Sequence, residues 1–133
     1  MAAYVELSLQ FVHWVVSNIK GGDISTGHTV SSYVGSAPPH SSGLHRYCFL
    51  LLEQPRTFTE DELKAASEYF APRGGLKAMQ WAASVGMTTA NVRAVKVFQG
   101  EWDESCDTAH DALGFVPPPE YRSPHQKAKH GHQ

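Results

Sequence analysis

His13, His45 and Tyr47 are the side chains in this sequence best suited to holding an anion. His45 and Tyr47 stand two residues apart in a segment that reads as a strand, so both project from one face of it. His13 lies between Val12 and Trp14 in an apolar run, where a buried neutral imidazole needs a partner for each ring nitrogen. With the run of His13 beside that of His45, two imidazoles and a phenol converge. Such a cluster donates hydrogen bonds to an anion, and an imidazole can take up a proton near neutral pH. The cluster holds no carboxylate to act as a base and no serine or thiol in a nucleophile setting. Anion binding is therefore favoured over catalysis. A zinc reading lacks a third ligand at a telling spacing.

The stretch that must position these groups is Tyr33 to Tyr47, which reads Y-V-G-S-A-P-P-H-S-S-G-L-H-R-Y. Pro39 has a fixed φ and pushes Pro38 toward an extended conformation, so the middle of the loop is stiff. Gly35 and Gly43 act as hinges that let the backbone reverse or approach another group closely. His40, His45, Arg46 and Tyr47 sit on this loop and on the strand it enters, and Cys48-Phe49-Leu50-Leu51-Leu52 is the most apolar run in the chain. That run reads as a strand that must be buried. The competing reading is an ordinary structural turn ahead of a core strand.

The remaining elements follow from periodicity and punctuation. Leu7 to Ile19 is β-branched and aromatic and predicts a central strand, broken by a turn at Lys20-Gly21-Gly22-Asp23. Ile24 to Ser32 reads as a loop or weak edge strand, and Arg46 to Glu53 as the next strand. Thr59 and Glu62 form a capping box ahead of a helix with an apolar stripe at Leu63, Ala66 and Tyr69-Phe70. A short helix is expected over Leu76 to Val85 and a strand covered in part on both sides over Asn91 to Gln99. Glu101 to Leu113 reads as a helix stopped by Gly114. From Pro117-Pro118-Pro119 the chain turns proline-rich and basic, which predicts a flexible or polyproline-like tail over 115–133 after a domain at 1–114.

The chain has 133 residues, a formal charge of −2 and two cysteines. That length suits one domain with a real core, and the charge gives no reason to expect nucleic acid as a partner. No apolar run reaches the roughly 18 residues of a membrane span, so no transmembrane segment is expected. The first residues show no basic start followed by an apolar core, so no signal peptide is expected. Cys48 and Cys106 do not suggest a disulfide framework, and a reduced, cytoplasmic setting fits with both thiols acting as small hydrophobes. No cofactor or metal motif is present in the sequence.

The segment Y-V-G-S-A-P-P-H-S-S-G-L-H-R-Y-C-F-L-L-L-E-Q at 33 to 54 resembles the signature of the phosphatidylethanolamine-binding protein (PEBP) family, to which the Raf kinase inhibitor proteins belong. His13-Trp14-Val15-Val16-Ser17-Asn18-Ile19 resembles the family's H-W-x-V-x-N-I strand. Arg73-Gly74-Gly75-Leu76-Lys77 and Phe98-Gln99-Gly100-Glu101-Trp102-Asp103 resemble its later segments, in consistent order over roughly 12 to 105. The resemblance implies a mainly β, antiparallel fold with peripheral short helices and a C-terminal helix. It also implies a small anion pocket formed here by His13, Pro39, His45 and Tyr47, with Gly35 and Gly43 shaping the loop. The family's C-terminal helix often presents a tyrosine near that pocket, and His110 holds the nearest position in this chain.

The family's D-P-D-x-P loop, which precedes the histidine-bearing strand, is absent from this sequence, as are the early strands. The expectation is an N-terminally truncated domain with weaker anion binding, or one completed by self-association as a homodimer through an exposed sheet edge. The function that fits is non-enzymatic: binding phospholipid head groups or phosphorylated partners, with inhibition of a protein kinase or a protease as a family possibility in signalling. The alternatives are a remnant that keeps only interactions, with a crippled pocket, and a hydrolase or metal enzyme built on His13, His45 and His40.

Overall fold

The computed structural model describes residues 9–131. Leu7 and Ser8 of the expected first strand, residues 1–6, over which no signal peptide is expected, and the last two residues of the expected tail lie outside them. The described chain forms four strands, β1 (Val15–Ser17), β2 (His28–Ser31), β3 (His45–Leu52) and β4 (Val92–Gly100). Four short helices accompany them: α1 (Glu60–Phe70), α2 (Ala78–Ser84), α3 (Glu104–Leu113) and α4 (Pro124–His130). β1 pairs antiparallel with β2, and β3 pairs with β4. Phe98 stacks on Tyr47, while Asn91 and Arg93 reach Glu53. Partners thus move back along β4 as they advance along β3, which makes the second pair antiparallel as well. The antiparallel framework with short helices at its periphery agrees with the fold expected from the sequence; no closed barrel forms among the described residues.

The chain divides into two compact units. The first comprises the segment ending at Val34 together with Leu50–Val95, and the second comprises Gly35–Phe49 with the chain from Lys96 onward. β3 and β4 run through both.

The first unit holds the apolar core. Phe58, Leu63, Ala82 and Met87 pack together, and Val12, Ala66 and Phe70 form a neighbouring cluster. Leu63, Ala66 and Phe70 recur at helical spacing on α1, so one stripe of that helix meets the core. Its start is fixed by the capping box read from the sequence. Thr59 Oγ1 accepts from the Glu62 amide (3.2 Å), and Glu62 accepts from the Thr59 amide (3.0 Å). Asn18, at φ 60°, ties the turn after β1 to this core: its side chain accepts from the Phe58 amide and donates to the Phe58 carbonyl. The Arg73 guanidinium binds the carbonyls of Val12 and Ser32, so the arginine of the family-like segment closes the first unit by backbone contacts.

Two expectations change. The predicted strand from Leu7 is regular only at β1; His13 precedes it, and Gln10 forms an isolated bridge with Leu76. The expected burial of β3 and β4 is not seen: Phe49 is 44 % exposed, Leu51 55 %, Val95 55 % and Val97 52 %. The ribbon has only two strands, so no neighbouring strand covers its outer edges among the described residues.

The Arg56 guanidinium pairs with Glu62, and that hydrogen bond, helped by the Thr59 amide, lowers the Glu62 carboxyl from its ordinary 4.5 to about 2. A carboxyl whose folded pKa is depressed contributes stability above its unfolded pKa and loses it as pH falls through the folded value. The difference in melting temperature between the native chain and Glu62→Gln should therefore hold constant at neutral pH and close between pH 4.5 and 2. Thr59→Ala should cost about 1 kcal/mol in urea unfolding through loss of the cap.

Candidate functional site

The loop from Gly35 to Leu44 and the start of β3 lie in the second unit. Its conformation is set by a few local bonds. Gly43 has φ +82°, a left-handed value that suits glycine, and Ser41 adopts φ 62° beside it. Gly35 differs: its φ is not left-handed, and a Cβ there meets open space, so neither turn nor close approach demands a glycine. Pro38 is fully buried and Pro39 partly so. The Pro39 carbonyl accepts from the Ser42 amide (3.2 Å) and from the Ser42 hydroxyl (2.6 Å).

Ser42 also lies 2.7 Å from His45 Nε2. A carbonyl can only accept, so the single hydroxyl proton of Ser42 goes to Pro39 and His45 donates from Nε2. Nδ1 is then the acceptor nitrogen of the neutral ring. Tyr47 stacks nearly parallel on Phe98, with ring centroids 5.0 Å apart. Burial pushes the Tyr47 phenol above its usual pKa, and the Ser36 hydrogen bond works in the opposite direction. Space for this contact depends on Gly100: a Cβ there would stand 2.8 Å from Ser36 Oγ and 3.4 Å from the Tyr47 ring. His40 sets its ring edge-on to Trp102 at 4.6 Å and lies 2.8 Å from the Ser41 hydroxyl through Nδ1.

The family resemblance sets His110 near the pocket. It is 1 % exposed, with Nε2 2.7 Å from the Ala37 carbonyl and Nδ1 2.8 Å from Gln126 Nε2. Both nitrogens are used within the protein, so the ring braces the loop from behind. In the first unit His13 turns Nδ1 to the Val34 carbonyl (2.9 Å), the Val34 amide donates to the His13 carbonyl (2.8 Å), and the ring packs at 4.8 Å from Phe11. His13 therefore anchors the residue just before Gly35.

A model of the family described as phosphatidylethanolamine-binding protein matches residues 4–96. The chain belongs to that family. It is also 32 % identical over 94 residues to the Drosophila melanogaster protein named "Putative odorant-binding protein A5". That alignment covers 71 % of this chain and 44 % of the relative, so the chain spans less than half the length of the curated relative it matches.

Among the residues this PEBP-family sequence singles out, the structure places Pro39, Gly43, His45 and Tyr47 in one loop–strand segment of the second unit. Ser36 and Gly100 were not singled out. Ser36 lay inside the quoted signature, and Gly100 in the F-Q-G-E-W segment was a glycine in a strand, a sign of close backbone approach. The expected tail also reads differently: Ser123 and Gln126 form a capping box that starts α4, and both are buried. Prolines at 117–119 prevent a helix only where they stand; Pro124 occupies the first helical turn, where the missing N–H costs nothing. No described helix is long and apolar enough to cross a membrane.

Gly100→Ala should turn the Ser36 hydroxyl away from Tyr47 and move the phenol titration further upward in ultraviolet absorbance. An unchanged titration would show that Gly100 does not hold this pair.

Proposed function

We propose that this PEBP-family chain is a non-enzymatic binding protein whose loop from Gly35 to Tyr47 takes a phosphate-bearing anion such as a phospholipid head group. The observation that carries this reading is the closeness of Ser36 and Tyr47, both beside Gly100, with His45 two residues away on the same face of β3. These groups supply a hydroxyl, a phenol and an imidazole, side chains that can donate hydrogen bonds to an anion. Pro39 and Gly43 shape the loop, and His13 enters the ligand set through its place in the family pattern alone. A regulatory consequence, inhibition of a kinase or protease, follows only where the partner presents a phosphate to this loop. The free thiols of Cys48 and Cys106 fit a reducing cytoplasmic setting.

Nuclear magnetic resonance titration of the full chain with phosphorylethanolamine, and separately with inorganic phosphate, should shift the His45 ring and the Tyr47 ring together. Tyr47→Phe and His45→Ala should each weaken the effect roughly tenfold, the loss of one charge-assisted hydrogen bond. Shifts in neither ring at millimolar ligand would sink the reading, and a preference for phosphorylethanolamine would identify the head group as the ligand.

A second reading has its own observation. The exposed Phe49, Leu50, Leu51, Val95, Val97 and Phe98 make β3 and β4 an apolar ribbon that pairs with no further strand among the described residues. Self-association as a homodimer would cover it. Sedimentation of the native chain and of Leu51→Lys should then differ, with the dimer lost in the variant; a native chain that sediments as a monomer at high concentration excludes this.

A further inference from the structure

The Ser42 hydroxyl decides which nitrogen of His45 a ligand can meet. Ser42 Oγ gives its one proton to the Pro39 carbonyl (2.6 Å) and accepts from His45 Nε2 (2.7 Å). The neutral ring therefore holds its proton on the nitrogen that Ser42 occupies. Nδ1 has no hydrogen-bond partner among the described residues, and no unpaired side-chain nitrogen is buried among them, so Nδ1 is open to solvent. An open Nδ1 of the neutral ring presents a lone pair, which gives an anionic oxygen nothing to accept.

The charged and titratable groups around the ring leave that assignment to Ser42. His40 turns its ring to Trp102 (4.6 Å), Arg46 projects from the opposite face of β3, and Tyr47 stacks on Phe98. Lys96 and Glu101 flank the end of β4 that meets Tyr47. No ion pair reaches His45 from any of them among the described residues.

We infer that Ser42 is a positioning residue for the anion site: it holds the His45 proton on Nε2, so a phosphate bound at His45 takes up one further proton at Nδ1. That proton comes from solvent and stays on the imidazole, whose Nδ1–H then donates to a phosphate oxygen; no bond of the ligand breaks. The inference rests on the anion-binding reading for its ligand, while the place of the His45 proton is a property of the free chain.

The test titrates the full chain with glycerophosphoethanolamine, a diester whose phosphate stays a monoanion between about pH 5 and 8, the interval in which imidazoles change charge. Where the free ring is neutral, the affinity should fall about tenfold for each pH unit, the slope of one proton taken up. In Ser42→Ala the ring is free to move its proton to Nδ1 and to donate while neutral, so the slope should flatten. The turn keeps a bond in that variant, because the amide of residue 42 still donates to the Pro39 carbonyl (3.2 Å). Ser42→Thr retains the hydroxyl and should restore the slope. Magnetic resonance spectra of the ring nitrogens, taken without ligand, should show the neutral native ring protonated on Nε2 with a slowly exchanging proton. That slow exchange should be lost in Ser42→Ala and recovered in Ser42→Thr.

A loop merely loosened by loss of the hydroxyl would bind more weakly by the same factor at every pH. Equal slopes in the native chain and Ser42→Ala would therefore overturn the inference. A flat native slope, or a neutral native ring protonated on Nδ1, would overturn it as well. Absence of binding by the native chain at any pH would defeat the anion reading and this linkage with it, whereas the ring spectra judge the role of Ser42 by themselves.

Discussion

Four buried polar side chains, Asp107, His110, Ser123 and Gln126, hold the second unit together, and each has a hydrogen-bond partner inside it. A polar group shut away from water costs free energy unless paired, and in a low-dielectric interior pairing and mispairing are both amplified. Such a set tolerates one arrangement: the carbonyl of Ala37 dictates the tautomer of His110, and that tautomer dictates the face that Gln126 presents. The apolar contribution on this side is small, since β3 and β4 leave their apolar side chains in contact with solvent. Specific geometry here comes from directional bonds, and burial makes those bonds strict.

The first unit follows another logic. Two clusters of apolar side chains are filled by α1, α2 and the segments around β1 and β2, and the capping box and Arg73 fix the ends of the elements. Packing of this kind depends on volume and tolerates substitution of similar shape. His13 belongs to this unit and is tied to Val34, the last residue before the loop. The loop therefore leaves a packed scaffold and enters a hydrogen-bonded one.

The difference explains what could be read from the sequence. Helix α1, the stop at Gly114 (φ 68°), the turn at Lys20–Asp23 and the strands around β3 and β4 were legible, because caps, glycines and alternation act over a few residues. Family membership was legible from the proline–glycine–histidine order of the loop. Burial of β3 was not, because an apolar run states a need for cover and says nothing of whether cover is present. α4 was missed although Ser123-Pro124-His125-Gln126 carries a capping box, since the three prolines before it and the basic residues after it outweighed a four-residue signal. The role of His110 was out of reach, because Ala37 stands 73 positions away and no local pattern reports such a contact.

Ala37 shows why so small a loop can be held in one shape. It precedes Pro38, which disfavours helical angles and leaves the residue extended. Here the carbonyl goes to His110, so the imidazole is referred to a residue whose own freedom is already cut. Rotating Ala37 to release His110 would break that bond and would meet the fixed ring of the buried Pro38. The loop is thus ordered by its own bonds, and a ligand that met it would be spared part of the entropy of organising it.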